Sequence, residues 1–230
     1  MIERPSPNHG PRPEGSAVDI LLVHFTGLPT AEIALARLTE PESGVSAHYT
    51  IDEDGTLYRH VAENRRAWHA GVGCWQGCRD INSRSVGVEL VNPGHEFGYH
   101  PFPARQMAAF RELALDIIRR HAIPAARVLG HSDVAPARKQ DPGELFDWRG
   151  LADDGIGEWP HPGPLTDNRL GSAEEAAALL TAYGYDVESA GLPLCLLGFQ
   201  RRFHPEWLSG LPLPETMRRL RTLVRGAPLL

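Results

Sequence analysis

The sequence predicts an α/β (α+β) fold: a central mixed β-sheet flanked by helices, followed by a small C-terminal three-helix domain. Three observations predict it. Apolar, β-rich runs at residues 19–25 and 85–91 indicate buried strands. An apolar repeat with three- and four-residue spacing over 103–121 indicates a long helix. Capping residues and prolines beyond residue 171 indicate three shorter helices.

The N-terminal half begins with a strand and a hairpin. Residues 19–25 (DILLVHF) form one continuous apolar run, which is typical of a buried strand. Thr30 can then cap a short helix that ends near Leu38. Asp54-Gly55 separates two strand-like runs and is a strong hairpin signal.

The next elements place one carboxylate within a strand. Residues 85–91 (SVGVELV) alternate, so Gly87 and Glu89 share one face of the strand. Residues 103–121 then form the long helix, and 127–129 a short strand. Strands and helices thus alternate irregularly, which favours a mixed sheet.

The C-terminal region reads as helices behind a linker rich in Gly, Pro and Asp. Ser172 and Glu175 form a capping box that opens a helix ending near Gly184. A second helix is expected over 193–203, and a third follows Pro214. The expected organisation is an irregular N-terminal arm (1–16), a main domain (17–152), a linker (153–171) and a three-helix domain (172–230).

Composition excludes some classes of protein. The formal charge of −6 disfavours a nucleic-acid binder, and no apolar run reaches the roughly 20 residues that span a bilayer. The first residues carry no apolar signal region, so we expect a cytoplasmic protein. For the oligomeric state, a monomer is favoured. Cys74 and Cys78 can pair only in an oxidising compartment, and free thiols are favoured.

Two histidines and an aspartate are candidate metal ligands. His24 and His131 each end a predicted strand, and Asp141 follows ten residues after His131. Two imidazoles and a carboxylate suit a zinc site that leaves the fourth position open. The spacing alone does not select them, because a histidine that closes an apolar strand is also common as a structural core residue.

Glu89 and Lys139 are the candidate catalytic side chains. Glu89 is an isolated carboxylate in an apolar strand, and burial would raise its pKa towards that of a general base. The alternative is an outward-facing polar position. Lys139 is the only lysine in the chain. A compact ammonium suits an oxyanion better than the planar fork of arginine, although a solvated loop lysine is the alternative.

Five segments together resemble a known family. In chain order they are LLVHFTG (21–27), VSAHYTIDEDGTLYRHV (45–61), RAWHAGVGCWQG (66–77), NSRSVGVELVNPG (82–94) and GHSDVAPARKQDPGELFDW (130–148). Their sequence, order and separation resemble the zinc-dependent bacterial N-acetylmuramoyl-L-alanine amidases, in the branch that accepts anhydro-muropeptides. The last sixty residues, with AYGYDV and GFQRRFHP, more weakly resemble a three-helix peptidoglycan-binding module.

The resemblance implies roles for the candidate residues. His24, His131 and Asp141 would bind one zinc ion in a groove on the sheet. Glu89 would activate the attacking water, and Lys139 would stabilise the tetrahedral intermediate. The implied reaction is hydrolysis of the amide bond between N-acetylmuramic acid, or its 1,6-anhydro form, and L-alanine of the stem peptide. The implied partners are peptidoglycan fragments or the murein polymer.

Substrate contacts and the setting of the reaction are further expectations. We expect substrate contacts from Tyr49, Trp68, His69, Arg79 and Arg84, with Arg79 or Arg84 meeting carboxylates of the stem. A protein that binds muropeptides without cutting them is the main alternative function. An unrelated zinc hydrolase is a third. The cytoplasm is the expected compartment, and the cell envelope is the alternative because a murein-binding module belongs beside the polymer.

Overall fold

A computed structural model describes residues 1–165 and 168–226. The predicted linker and the last predicted domain therefore lie partly outside the described residues, at 166–167 and 227–230. Strands in the described ranges form a six-stranded sheet and a separate pair. They are β1 (Ile2–Glu3), β2 (His9–Pro11), β3 (Ile20–Phe25), β4 (Tyr49–Ile51), β5 (Leu57–Arg59), β6 (Arg65–Ala67), β7 (Ser85–Leu90) and β8 (Val128–Gly130).

Helices cover both faces of the large sheet. Those in the described ranges are α1 (Ala31–Thr39), α2 (Ile81–Arg84), α3 (Gly94–Phe97), α4 (Ala104–His121), α5 (His131–Val134), α6 (Trp148–Ala152), α7 (Ala173–Tyr183), α8 (Val187–Ala190), α9 (Leu192–Phe203) and α10 (Pro214–Gly226). No helix in this part of the chain is both long and apolar enough to cross a membrane.

The large sheet is mixed, in the order β1-β5-β4-β7-β3-β8. Strands β4, β7, β3 and β8 run parallel, while the predicted hairpin pairs β4 with β5 antiparallel. The predicted fold class is therefore confirmed. Local signals also act as predicted, since the side chains of Thr30 and Ser172 accept hydrogen bonds from backbone amides in the first turns of α1 and α7.

Alternation along β3 divides the core between the two faces of the sheet. Leu21 and Val23 point towards α4, in a cluster with buried Phe110 and Ile117. Leu22 points to the opposite face, in a cluster shared with the C-terminal helices. His24 has the parity of Leu22 and so lies on that second face, at the carboxyl end of its strand.

The first sixteen residues, predicted as an irregular arm, contain two short strands. β1 extends the large sheet by pairing parallel with β5, and β2 pairs antiparallel with β6. Arg12 anchors the segment by donating to the backbone carbonyls of Asn82 and Ser85, at 3.0 and 2.8 Å. Strands of two and three residues are too short to show a hydrophobic period, which is why the pattern missed them.

The C-terminal helices share a core with the sheet. Buried Leu180 and Phe199 belong to one apolar cluster with Leu22 and Leu129. The predicted linker also contributes to the core, because Ile156 is fully buried in the apolar cluster on the α4 face. All three cysteines are free thiols. The helices of the predicted third domain thus cover one face of the sheet.

Candidate active site

Three side chains converge at the carboxyl end of β3 and β8. These parallel strands are neighbours, with Val23 opposite Gly130, so their last residues lie at one edge of the sheet. The Nδ1 atoms of His24 and His131 are 2.9 Å apart, and each lies 3.0 Å from Oδ2 of Asp141. A backbone hydrogen bond from Ser132 to the Asp141 carbonyl joins the two ends of the loop.

The donor set fits one metal ion. A tetrahedral zinc with nitrogen and oxygen ligands at about 2.0–2.1 Å holds them about 3.3 Å apart, close to the spacing observed. His131 also presents a lone pair, because its Nε2–H donates to the Ala70 carbonyl at 2.9 Å. Nδ1 of His24, Nδ1 of His131 and Oδ2 of Asp141 make three mutual contacts, and with neutral imidazoles at most one proton is available to bridge them as a hydrogen bond. A cation between the three atoms instead accepts a lone pair from each. His24, His131 and Asp141 therefore form a group that can hold a metal.

The ionisation of these groups suits metal binding, which needs neutral imidazoles and an ionised carboxylate. Burial, reinforced by nearby His131, lowers the pKa of His24 to about 4. Burial opposes ionisation of Asp141, yet the adjacent imidazoles of His131 and His24, each 3.0 Å from Oδ2, lower the pKa of that carboxyl below its ordinary value. At neutral pH His24 and Asp141 are therefore in the forms that bind a metal.

Glu89 stands beside the metal group on the same face of the sheet. It pairs in register with His24 across β7 and β3. Its Oε2 is buried and has no hydrogen-bond partner among the described residues. Burial, followed by the negative charge of Asp141, raises the pKa of Glu89 well above its ordinary value. A carboxyl group held in this way is suited to accept and release a proton.

A groove opens over these groups. Its cavity of about 160 Å³ is lined by the metal group together with Glu89, Lys139, Trp68 and His69. Lys139 also lines the neighbouring groove, with Arg138 and His95, so the two grooves share this residue. Five predicted site residues thus meet at one cavity, joined by two of the five predicted substrate contacts.

Tyr49, predicted as a substrate contact, lies on the opposite face of the sheet from the groove. It lies on β4 in register with Val88, and its ring packs in the cluster on the α4 face. Its hydroxyl donates to Glu63 at 2.7 Å. Because neighbouring residues of a strand point to opposite faces, Thr50 rather than Tyr49 shares a face with Glu89.

Arg79 and Arg84 are also placed away from the groove. Arg84 precedes β7, so it lies at the opposite end of the strand from Glu89, and it pairs with Asp19. Arg79 pairs with Asp186 at the start of α8, 2.9 Å away. The structure therefore does not bring either arginine to the cavity that contains the metal group.

Arg37 is the basic residue that the sequence reasoning missed. It comes from the last turn of α1 and lines the same cavity as Glu89. The sequence around Arg37 does not show that it reaches the groove. Helix periodicity predicts which face of α1 is buried, but it does not predict what the residues at the edge of that face contact.

Comparison with known proteins decides the family. The profile described as "Amidase_2: N-acetylmuramoyl-L-alanine amidase" matches residues 14–144, more than half of the chain. The chain belongs to this amidase family. The expected family and enzyme class are confirmed.

Individual relatives extend the match. AmiD of Escherichia coli (strain K12), named an N-acetylmuramoyl-L-alanine amidase, is 34% identical over 222 residues, covering 86% of this chain and 79% of AmiD. AmpD of the same strain, named a 1,6-anhydro-N-acetylmuramyl-L-alanine amidase, is 33% identical over 161 residues, covering 63% of this chain and 86% of AmpD.

Solved structures show the same fold over nearly the whole chain. E. coli AmiD in complex with anhydro-N-acetylmuramic acid-L-Ala-D-γ-Glu-L-Lys superposes with a TM-score of 0.82 at 31% identity, covering 96% of this chain and 92% of AmiD. AmpDh3 of Pseudomonas aeruginosa with an anhydromuramic pentapeptide gives 0.82 at 30% identity, covering 94% and 95%. The likeness to these two amidases thus extends into the C-terminal helices.

Proposed function

We propose that this protein is a zinc amidase that cleaves the bond between the lactyl group of N-acetylmuramic acid, in its anhydro form, and L-alanine of the stem peptide. The observation that carries the proposal is the meeting of His24, His131 and Asp141 in one groove with Glu89, whose buried Oε2 has no hydrogen-bond partner among the described residues. The anhydro-muropeptides bound by the AmiD and AmpDh3 structures support this choice of substrate.

His24, His131 and Asp141 would hold the zinc ion. Two imidazoles and one carboxylate are a common catalytic zinc set, whereas calcium and magnesium prefer oxygen ligands alone. When bound there, zinc supplies Lewis acidity to the amide carbonyl and to water.

Glu89 would be the general base and then the general acid. Its raised pKa lies closer to the working pH, where a carboxyl group can both accept and release a proton efficiently. The carboxylate accepts a proton from the attacking water and later gives it to the nitrogen of the departing L-alanine. Because Oε2 is buried without a partner among the described residues, no internal hydrogen bond has to break first.

Lys139 would stabilise the negative charge that develops on the amide oxygen. Lys139 lines the cavity together with Asp141 and Glu89. Removing one well-placed donor from an oxyanion site costs on the order of 10²–10³ in kcat in other enzymes. Arg37, on the rim of the same cavity, would meet a carboxylate of the stem peptide, and Trp68 would pack against the substrate.

The test combines metal analysis with one substitution. The purified protein should contain one zinc per chain and should release the stem peptide from anhydro-muropeptide. Glu89→Gln should keep zinc and substrate binding and lose turnover by at least about 10²-fold, within the range for general acid–base catalysis. Hydrolysis by Glu89→Gln at the normal rate would refute the role of Glu89. Muropeptide binding without hydrolysis by the zinc-loaded protein would favour a recognition protein instead.

The natural form of the substrate and the compartment are a separate proposal. We propose soluble anhydro-muropeptides in the cytoplasm as the setting, so that the enzyme acts in murein recycling. Turnover of soluble anhydro-muropeptides should then exceed turnover of intact sacculi, and cell fractionation should recover the protein with cytoplasmic markers. Faster release from sacculi, with recovery in the envelope fraction, would overturn this setting.

A further inference from the structure

His69 has both ring nitrogens engaged inside the protein although its ring borders the groove. Nδ1 lies 3.0 Å from Nε2 of His24, and Nε2 lies 3.2 Å from Oγ of Ser85. Only ring carbons are left to face a substrate. This differs from the substrate contact expected from the sequence, and it connects His69 to a candidate metal ligand.

The direction of these hydrogen bonds follows from a backbone carbonyl at the end of the chain of contacts. The Ser85 hydroxyl donates to the carbonyl of Ile81 at 2.8 Å, because a carbonyl can only accept. Ser85 Oγ therefore accepts from the Nε2–H of His69. A neutral His69 then has a lone pair on Nδ1, which accepts from the Nε2–H of His24.

The consequence falls on the metal side of His24. With its proton fixed on Nε2, the Nδ1 atom of His24 carries a lone pair directed at His131 and Asp141. We propose that His69 is a positioning residue that fixes the tautomer and ring orientation of His24 for zinc binding. The inference rests on the proposed zinc site. Hydrogen-bond partners of metal-ligating histidines commonly have this effect on their ligands.

The sheet has a place built for the His69 ring. A Cβ atom on Gly87 would lie 2.5 Å from Cγ and Nδ1 of that ring, so only glycine leaves room for it. The backbone on either side is also fixed, because the amides of His69 and Ala70 both donate to Oδ1 of Asn82, at 3.1 and 2.9 Å. The Ala70 carbonyl in turn accepts from His131. One short segment thus orients both metal histidines.

The test measures zinc affinity by competition with a chromophoric chelator. Partners of this kind typically contribute 10–100-fold to metal affinity, so His69→Leu, which removes both hydrogen bonds, should weaken zinc binding by about that factor. His69→Gln keeps an acceptor and a donor, and should recover part of the loss. Ser85→Ala removes only the far end of the chain and should have the smallest effect.

His60→Leu is the matched control. His60 is also buried with both nitrogens engaged, by the Arg4 carbonyl and the Thr50 hydroxyl, but it does not touch the metal group. This variant should lose stability while keeping wild-type zinc affinity. Equal affinity of His69→Leu and the wild type would overturn the inference, as would equal weakening in His60→Leu. If His69→Leu does not fold, Ser85→Ala decides, and unchanged zinc affinity there counts against the proposal.

The outcome for the wild-type protein separates this inference from the proposed function. Failure of the wild-type chain to bind zinc would refute the zinc amidase and the inference together. Zinc binding by the wild type, with no change in His69→Leu and Ser85→Ala, would refute only the role of His69. Activity is not needed for either reading, since affinity and folding are measured on each variant directly.

Discussion

The two faces of the six-stranded sheet are built from the same strands but have different tasks. The face towards α4 is apolar along its length, with Val86, Val88 and Leu90 of β7 all buried there. The opposite face changes character along the strands. It is apolar at Ile20 and Leu22, and carries the metal group and Glu89 at the carboxyl ends.

The difference shows where polar groups can be buried at tolerable cost. A buried charge needs a partner, and the second face supplies partners from outside the sheet. Asp133, in α5, accepts hydrogen bonds from Arg202 of α9 at 2.9 Å, from Tyr185 at 2.6 Å and from the Gly130 amide at 2.8 Å. The C-terminal helices thus help to fix the turn that begins with His131. Substitutions in the contacts that hold this turn should therefore affect both stability and metal binding.

The largest effect is expected from Arg202→Met. Breaking a buried ion pair by removing one partner typically costs about 3–5 kcal/mol, and here it leaves Asp133 charged in the core. The free energy of unfolding, measured in urea, should fall by about that amount, and zinc affinity should fall with it because Gly130 precedes His131. Arg201→Met, on the same helix, is the control and should change both little. Wild-type zinc affinity in a folded Arg202→Met would show that the turn is held without α9.

Ile117→Ala makes the matching change on the α4 face. Ile117 is fully buried, and truncating such a side chain leaves a cavity that costs roughly 3 kcal/mol. Urea unfolding should show that loss, while the zinc affinity of the folded fraction and KM stay at their wild-type values. Weaker zinc binding in this variant would mean that the two faces are coupled through the strands, against the division described above.

A smaller, pH-dependent effect is expected at Glu63 on the α4 side. Burial opposes its ionisation, but hydrogen bonds from Arg120, His121 and Tyr49 lower its pKa to about 2. A carboxylate with a depressed pKa contributes stability above its unfolded-state pKa, near 4.5, and the contribution is lost as the pH falls towards 2. Because Arg120 is 41% exposed, screening limits this to about 1 kcal/mol.

Comparison with Glu63→Gln isolates that contribution. The difference in the free energy of unfolding between the wild type and the variant should shrink as the pH falls from about 5 to about 2, by roughly 1 kcal/mol in all. Zinc affinity at pH 7 should not change. A difference that is independent of pH would show that Glu63 gains nothing from its partners as a charged group.

Strand ends and strand parity made the residues of the site candidates, and the family resemblance, rather than their spacing, selected them. His24 and His131 end parallel strands, and Glu89 alternates with apolar residues. The same reasoning could have excluded Arg84 from the site. Arg84 precedes β7 and Glu89 lies near the other end of that strand, so the two are about 16 Å apart at 3.3 Å per residue. Arg37 could not be predicted, because the way α1 meets the groove is set by tertiary packing. The partners that the side chains of Arg202 and His69 contact could not be predicted either, because they come from distant segments of the chain.

Tyr49→Phe gives the smallest expected effect and tests the face assignment directly. The substitution removes one hydrogen bond to Glu63, which is worth roughly 0.5–1 kcal/mol of unfolding free energy. KM for anhydro-muropeptide should not change, because the ring lies on the α4 face. Trp68→Ala, which alters the cavity wall, should raise KM. A raised KM in Tyr49→Phe would return Tyr49 to the substrate groove and would contradict the parity of β4.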